Sequence, residues 1–259
     1  MSTTEAVNQG TVNFEIDEKG IARITFAHPL SNSLPGKILR KLADTITDLG
    51  NDSSAKVIIL QSEGDRAFCA GASFDELISI KDLDEGKVFF SGFAAVINAC
   101  RKCPKFIIGR VQGKAVGGGV GLASAVDYCY ATEYADIKLS ELAVGIGPFV
   151  VGPAVERKIG VSAMSQLAIN ATEWRSAKWA KQKGLYVDVF ESVEDMDRDI
   201  EEIANKLAKS NPEAMRLLKK VFWEGTEHWD TLLAERAAMS GELVLSDFTV
   251  NAINAFKKK

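Results

Sequence analysis

The chain has 259 residues, is 46% hydrophobic and 25% charged, and carries a net charge of −4 with a pI near 5.4. That balance excludes a largely disordered chain, and the interspersed acids and bases exclude the basic face with which a protein meets nucleic acid. Residues 1–10 are polar with no signal-peptide core, no apolar stretch approaches the ~18 residues of a membrane span, and Cys69, Cys100, Cys103 and Cys129 with two histidines offer no zinc spacing. Free thiols in a reducing, cytoplasmic compartment are expected.

In chain order, residues 12–16 and 21–26 alternate apolar and polar around Asp17-Glu18-Lys19-Gly20, which predicts a β-hairpin. Pro35 to Leu49 places Ile38, Leu42, Ile46 and Leu49 at helical spacing, and Lys56 to Gln61 is a short apolar run suited to a strand buried on both faces. A glycine-bearing loop, Ser62 to Leu77, follows; residues 80–92 read as a flexible charged segment and 93–102 as a helix ending before Pro104.

Phe106 to Val111 reads as the next strand, and it feeds Gly113 to Gly121, with four glycines among the five residues 117–121. Glycine is costly inside regular structure, so this density implies close backbone approach to a ligand. A glycine-rich helix start also leaves amide N–H groups without partners at the positive end of the dipole. Short strands at 128–131 and 137–139, a Gly/Pro-rich loop from Ser140 to Pro153, helices near 155–159, 162–169 and 176–183, and a strand at 186–190 complete an alternating strand and helix pattern. A long helix with Val193, Met196, Ile200, Ile203 and Leu207 on one stripe, a helix opened by Asn211-Pro212 with Leu217, Leu218, Val221 and Phe222 on its apolar side, and further helices over 229–256 form the remainder. The expected organisation is an α/β core over 1–194 and a helical region over 195–259.

The glycine run fits neither phosphate motif: no Lys-Ser or Lys-Thr follows it, and Gly119-Val120-Gly121 continues as Leu122-Ala123-Ser124 rather than reaching a third glycine. No G-x-S-x-G elbow is present, and His28 and His228 lie outside the glycine loops, which sets serine hydrolysis aside. The two glycine loops can also be combined with one acid. Ala70-Gly71-Ala72 and Gly117-Gly118-Gly119 can each give one backbone N–H to a carbonyl oxygen, with Glu141 beside them for proton transfer.

These residues resemble the crotonase, or enoyl-CoA hydratase/isomerase, superfamily. Arg66-Ala67-Phe68-Cys69-Ala70-Gly71-Ala72 is similar to its first oxyanion motif and Gln112 to Gly119 to its second; Ser210 to Ala214 and the ending Asp247 to Phe256 extend the resemblance over almost the whole chain. The resemblance implies a ββα spiral core with a C-terminal helical trimerisation region, a homotrimer or dimer of trimers, and no cofactor beyond the coenzyme A of an acyl-CoA thioester substrate. It implies Ala72 and Gly118 as oxyanion donors and Glu141 as the acid. Ser31, Ser33, Leu34 and Arg66 would bind the coenzyme A portion with Ala70 and Phe74 nearby, and Gly117, Gly121 and Pro148 are further expected substrate contacts.

One departure decides the expected reaction. The family's hydratases carry acids three and 23 residues after the central oxyanion glycine; counted from Gly118 these positions are Gly121 and Glu141. With one acid, moving a double bond from C3=C4 to C2=C3 is simpler than adding water, so Δ3-Δ2 enoyl-CoA isomerisation is expected, with hydration, branched acyl groups such as methylglutaconyl-CoA included, as the runner-up. Decarboxylation and a catalytically impaired thioester binder follow. A small residue at 121 is further expected to enlarge the pocket, and Glu63, Asp75 and Glu76 are read as surface or capping residues.

Overall fold

The computed structural model describes residues 10–257. The hairpin forms as expected, β1 (Thr11–Ile16) antiparallel to β2 (Ile21–Ala27), its turn held by the Asp17 carboxylate, which accepts the N–H groups of Lys19 and Ile21 at 2.9 Å each. Then α1 (Gly36–Asn51) leads to β3 (Val57–Ser62), which pairs in parallel with β2.

From β3 onward the chain repeats one device. Each pass lays a strand in a large sheet and, a few residues later, a strand in a small one, before a helix returns. The large-sheet members are β3, β5 (Ile107–Val111), β7 (Tyr128–Thr132) and finally β9 (Asp188–Phe190); the small sheet is β4 (Ala67–Cys69), β6 (Lys114–Val116) and β8 (Ile137–Lys138). The large sheet runs β1-β2-β3-β5-β7-β9 and the small one β4-β6-β8, parallel throughout except for the hairpin. This is the expected ββα spiral within an α/β fold. Strand β3 is an unbroken apolar run because both its faces are covered, Ile58 and Leu60 belonging to the inner core and Val57 and Ile59 to the outer.

The acid-rich segment expected to be flexible is instead the first half of one helix. After α2 (Phe74–Ser79), α3 spans Leu83–Lys102 without interruption. Asp82 accepts the Glu85 N–H at 2.9 Å, Asp84 and Glu85 complement the positive end of the dipole, and Arg101 and Lys102 the negative end. Its inward stripe, Phe89, Phe90, Phe93, Val96, Ile97 and Cys100, is buried. The helix α4 (Gly118–Ala125) begins within the glycine run, and α5 (Gly152–Ile169) bends at Gly160, the break anticipated between 159 and 162. After α6 (Ala177–Gln182) comes α7 (Val193–Ala208).

That last helix shifts the expected division of the chain. Met196, Ile200, Ala204 and Ala208 pack on Ile21, Val57, Ile59, Ile108 and Tyr130 of the large sheet, and Asp197 takes a two-pronged ion pair from Arg110 at 2.6 and 3.0 Å. The helix therefore forms the second layer of the core, and a boundary at 195 would cut through it. The helical region begins after it with α8 (Pro212–Phe222), α9 (Trp229–Leu243) and α10 (Asp247–Lys257). Asn211 caps α8 by accepting from Glu213 and Ala214.

The apolar side of α8 does not face the core. Leu217, Leu218, Val221 and Phe222 are exposed, whereas Met215, Lys219 and Trp223 are buried. The anchor is polar: Asp127, at the end of α4, accepts from Lys219 Nζ at 2.8 Å, Trp223 Nε1 at 3.0 Å and the Ile107 N–H at 2.8 Å. No helix of the described residues is long and apolar enough to cross a membrane.

Candidate active site

The end of β4 and the end of β6 lie side by side in the small sheet, so the two glycine loops that leave them open onto one place. Gly71 holds φ +89, and a Cβ added there would stand 2.8 Å from the Val116 carbonyl and 3.6 Å from the Gly118 nitrogen. Only a residue without a side chain lets the first loop approach the second so closely. On the other side, Gly117 holds φ +52 and its N–H donates to the Lys138 carbonyl of β8 at 2.8 Å.

The neighbouring amides are accounted for: the N–H of Leu34 donates to Gly71 O at 2.8 Å, that of Ala70 to Ser31 O at 3.1 Å and that of Ser73 to Leu34 O at 3.3 Å. Among the described residues no backbone acceptor pairs with the N–H of Ala72 or of Gly118. Both residues border one cleft. Buried or half-buried amides left unpaired at the mouth of a helix are donors held for a ligand.

Glu141 reaches the same cleft from the turn after β8. A single 3₁₀ turn (Leu142–Val144) starts at it; the Glu141 carbonyl accepts from Val144 at 3.1 Å and from Ile146 at 2.9 Å, and Gly145 closes the turn at φ +84. The backbone beneath the acid is thereby fixed. Its carboxylate lies against the second glycine loop, with Oε1 3.0 Å from where a Cβ of Gly117 would be. Oε2 is buried with no hydrogen-bond partner among the described residues. Burial, opposed by the residue's own N–H, pushes the carboxyl up to about 7, so near neutrality it takes and gives a proton with equal ease.

The rest of the cleft is apolar: Phe90 and Phe93 come from α3, Phe74 from α2, and Ile146, Phe149 and Val151 from the loop after Glu141. Ser240, on α9, brings the helical region to the site. Cys69 lies beneath the first loop, its Sγ accepting the Gly71 N–H at 3.4 Å; burial pushes this thiol up to about 12, which keeps it neutral and unsuited to nucleophilic attack. Among the described residues no three His, Cys, Asp or Glu side chains gather to hold a metal ion.

The structure thus brings together Ala70, Ala72, Phe74, Gly117, Gly118, Glu141 and Pro148 around one cleft. The other expected contacts fall elsewhere. The Ser33 hydroxyl is turned inward to His28 Nδ1 at 3.0 Å, and Leu34 is fully buried, its N–H donating to the Gly71 carbonyl of the first loop. Ser31, at φ +53, and Arg66 are exposed outside the cleft.

Gly121 does not enlarge the cleft. A Cβ there would overlap Val151, at 2.5 Å from Cγ1 and 2.7 Å from Cβ, and Val151 is itself part of the cleft wall. A valine fills the ground where a second acid would project. Glu76 is a capping residue as anticipated, its carboxylate accepting the Gly36 N–H at the start of α1 at 2.6 Å.

Sequence reasoning missed Phe90, Phe93, Ser240 and the loop staple Asn32, whose amide donates to the carbonyls of Glu63 at 2.7 Å and Ala67 at 2.9 Å. The signal for the two phenylalanines was present: Asp82 with Glu85 three residues on is a helix start, and Phe90, Phe93, Ile97 and Cys100 then keep helical spacing. Asn32 gave none.

Two unpaired amides bordering one cleft, beside a buried acid that titrates near neutrality, define a site that can stabilise an oxygen gaining negative charge while a proton moves next to it. The chain belongs to the enoyl-CoA hydratase/isomerase family, whose model it matches over residues 17–256. It is similar to a probable enoyl-CoA hydratase of Bacillus subtilis, at 28% identity across 92% of this chain and 93% of that protein. It is also similar to the human mitochondrial methylglutaconyl-CoA hydratase, at 31% identity across 88% of this chain and 68% of that one. The crystal structure of enoyl-CoA hydratase from Bacillus halodurans superposes with a TM-score of 0.86 at 20% identity, covering 94% of this chain and 99% of that one, a likeness of fold.

Proposed function

We propose that the protein acts on an acyl-CoA thioester, holds the thioester oxygen between the N–H groups of Ala72 and Gly118, and isomerises a 3-enoyl-CoA to the 2-enoyl-CoA with Glu141 as proton shuttle. The observation that carries the choice of reaction is the pairing of Gly121 with Val151: where a second acid would be needed to orient water, the wall is hydrocarbon. Ionised Glu141 takes a proton from C2 and becomes neutral; the electron pair delocalises over the thioester oxygen and the C3=C4 bond, and the same proton is returned at C4. The charge that builds on oxygen is absent from the ground state, so two fixed donors lower the barrier, each by about 3 kcal/mol.

A carboxyl titrating near 7 suits this task, because one group must be base and then acid in a single turnover. Hydration is the second reading, supported by the names of the bacterial and human relatives; decarboxylation is a third, since an ethylmalonyl-CoA decarboxylase of Xenopus laevis is 27% identical over 140 residues. Incubation with 3-hexenoyl-CoA and, separately, with crotonyl-CoA distinguishes them. Product from the first alone supports isomerisation, product from the second alone supports hydration, and product from neither removes both. The proposal extends to assembly: the exposed Leu217, Leu218, Val221 and Phe222 support a homotrimer, or a dimer of trimers, formed through α8.

A further inference from the structure

The charge of the cleft carries information about the acyl group that enters it. Of the described residues lining it, Glu141 is the one charged side chain; no lysine, arginine or histidine is among them. Two hydroxyls complete the polar side chains. That of Ser240 already donates to the Arg236 carbonyl one turn back, at 3.2 Å, which leaves Ser140. The positive end of α4 reaches the cleft through Gly117, whose N–H is bonded to the Lys138 carbonyl, and Gly118, whose N–H the thioester oxygen would occupy, while Gly119 is packed against the Cys69 carbonyl and does not line it.

We infer that the acyl group is uncharged, and that thioesters bearing a second carboxylate on the acyl chain are excluded by a cleft whose described lining residues supply one anion and no cation. This rests on the thioester reading above. A carboxylate at the far end of the acyl chain would lose its water among Phe90, Phe93, Phe149 and Val151 with no counter-ion, and would do so beside Glu141, whose own ionisation it would oppose. An uncharged chain meets the same wall at no such cost.

The cost of a buried charge without a partner corresponds to a loss of about 100-fold in affinity or more. Calorimetric titration of the intact protein with hexanoyl-CoA, glutaryl-CoA and free coenzyme A reads this directly, because the saturated chains bind without reacting. Hexanoyl-CoA should bind about 100-fold more tightly than glutaryl-CoA, and glutaryl-CoA no more tightly than free coenzyme A. A gap of about tenfold or more between the two thioesters supports the inference, and a smaller gap with hexanoyl-CoA still tighter than coenzyme A overturns it while leaving the thioester reading intact. Hexanoyl-CoA binding no better than coenzyme A, or no binding at all, overturns the thioester reading and this inference with it.

Discussion

Replacing Glu141 with glutamine keeps the size of the side chain and removes its charge, which sets catalysis and stability against each other. In the folded protein burial raises the carboxyl from 4.5 to about 7; in the unfolded chain it titrates at the ordinary value. The folded state therefore holds the proton between those two pH values while the unfolded state releases it, so the contribution of Glu141 to stability is complete below about 4.5 and is lost as pH rises through about 7. A difference of some 2.5 pH units corresponds to about 3 kcal/mol. Glu141→Gln, neutral at every pH, should escape that loss. It should be more stable than the parent by up to about 3 kcal/mol at pH 8, and by less than about 1 kcal/mol at pH 5.

Activity should move the other way. General base catalysis contributes about 10²–10⁴-fold, so the variant should lose that much in kcat with little change in KM. In the parent, kcat/KM should rise with pH to half its plateau near 7, because the base must be ionised. Thermal unfolding at the two pH values and a kinetic profile between pH 5.5 and 8.5 test both halves. A variant no more stable than the parent at pH 8, or a flat profile across neutrality, would refute the assignment of Glu141 as a base whose ionisation burial opposes.

Gly117→Ala puts a methyl group at positive φ and 3.0 Å from Glu141 Oε1, and by displacing the carboxylate should lower kcat about 100-fold while calorimetry shows coenzyme A thioesters still bind. Gly121→Glu alone should cost about 1–3 kcal/mol by forcing Val151 aside, whereas Gly121→Glu with Val151→Gly should recover stability and raise the rate of crotonyl-CoA hydration; chemical denaturation and a hydration assay read the two effects. Lys219→Ala strands the Asp127 carboxylate among Trp223 and the start of β5, and should cost about 3–5 kcal/mol by the same denaturation measurement, with the Asp127→Asn, Lys219→Met double variant closer to the parent. Leu218→Glu with Phe222→Glu, both on the exposed face of α8, should lower the mass found by light scattering toward a single chain without lowering its unfolding temperature, and an unchanged mass would remove α8 from the assembly.

The spiral was legible because its signals are local. Alternation at 12–26, the apolar run at 56–61 and the glycine loops at 69–72 and 113–121 depend on neighbours in sequence. The glycine loops and the acid that border the cleft were legible for a similar reason, since dense glycines and a loop carboxylate are visible within a few residues, and it was the resemblance to a known family that singled out Ala72, Gly118 and Glu141 among them. What failed was anything set by packing between distant segments. Asp82, Asp84 and Glu85 look like a solvated charge run until the buried Phe89 and Phe93 are read as the other side of the same helix. Leu217 and Phe222 look like core until the buried residues of α8 prove to be Met215 and Lys219, with Lys219 and the following Trp223 held by an aspartate some 90 residues earlier in the chain. The occupancy of the space beside Gly121 depends on Val151, thirty positions on, and a single glycine cannot reveal whether its missing side chain leaves room.

That interlock bears on how such a site changes over generations. A glutamate arriving at 121 meets Val151, and a glycine arriving at 151 while 121 remains small opens a hole in the wall. Either step taken first costs packing energy, whereas the pair together restores a filled site of different chemistry. Positions 121 and 151 are therefore expected to change in concert across descendant lineages, with a small residue at one matched to a large residue at the other. A second acid is separated from the present arrangement by a valley of sign epistasis rather than by one substitution.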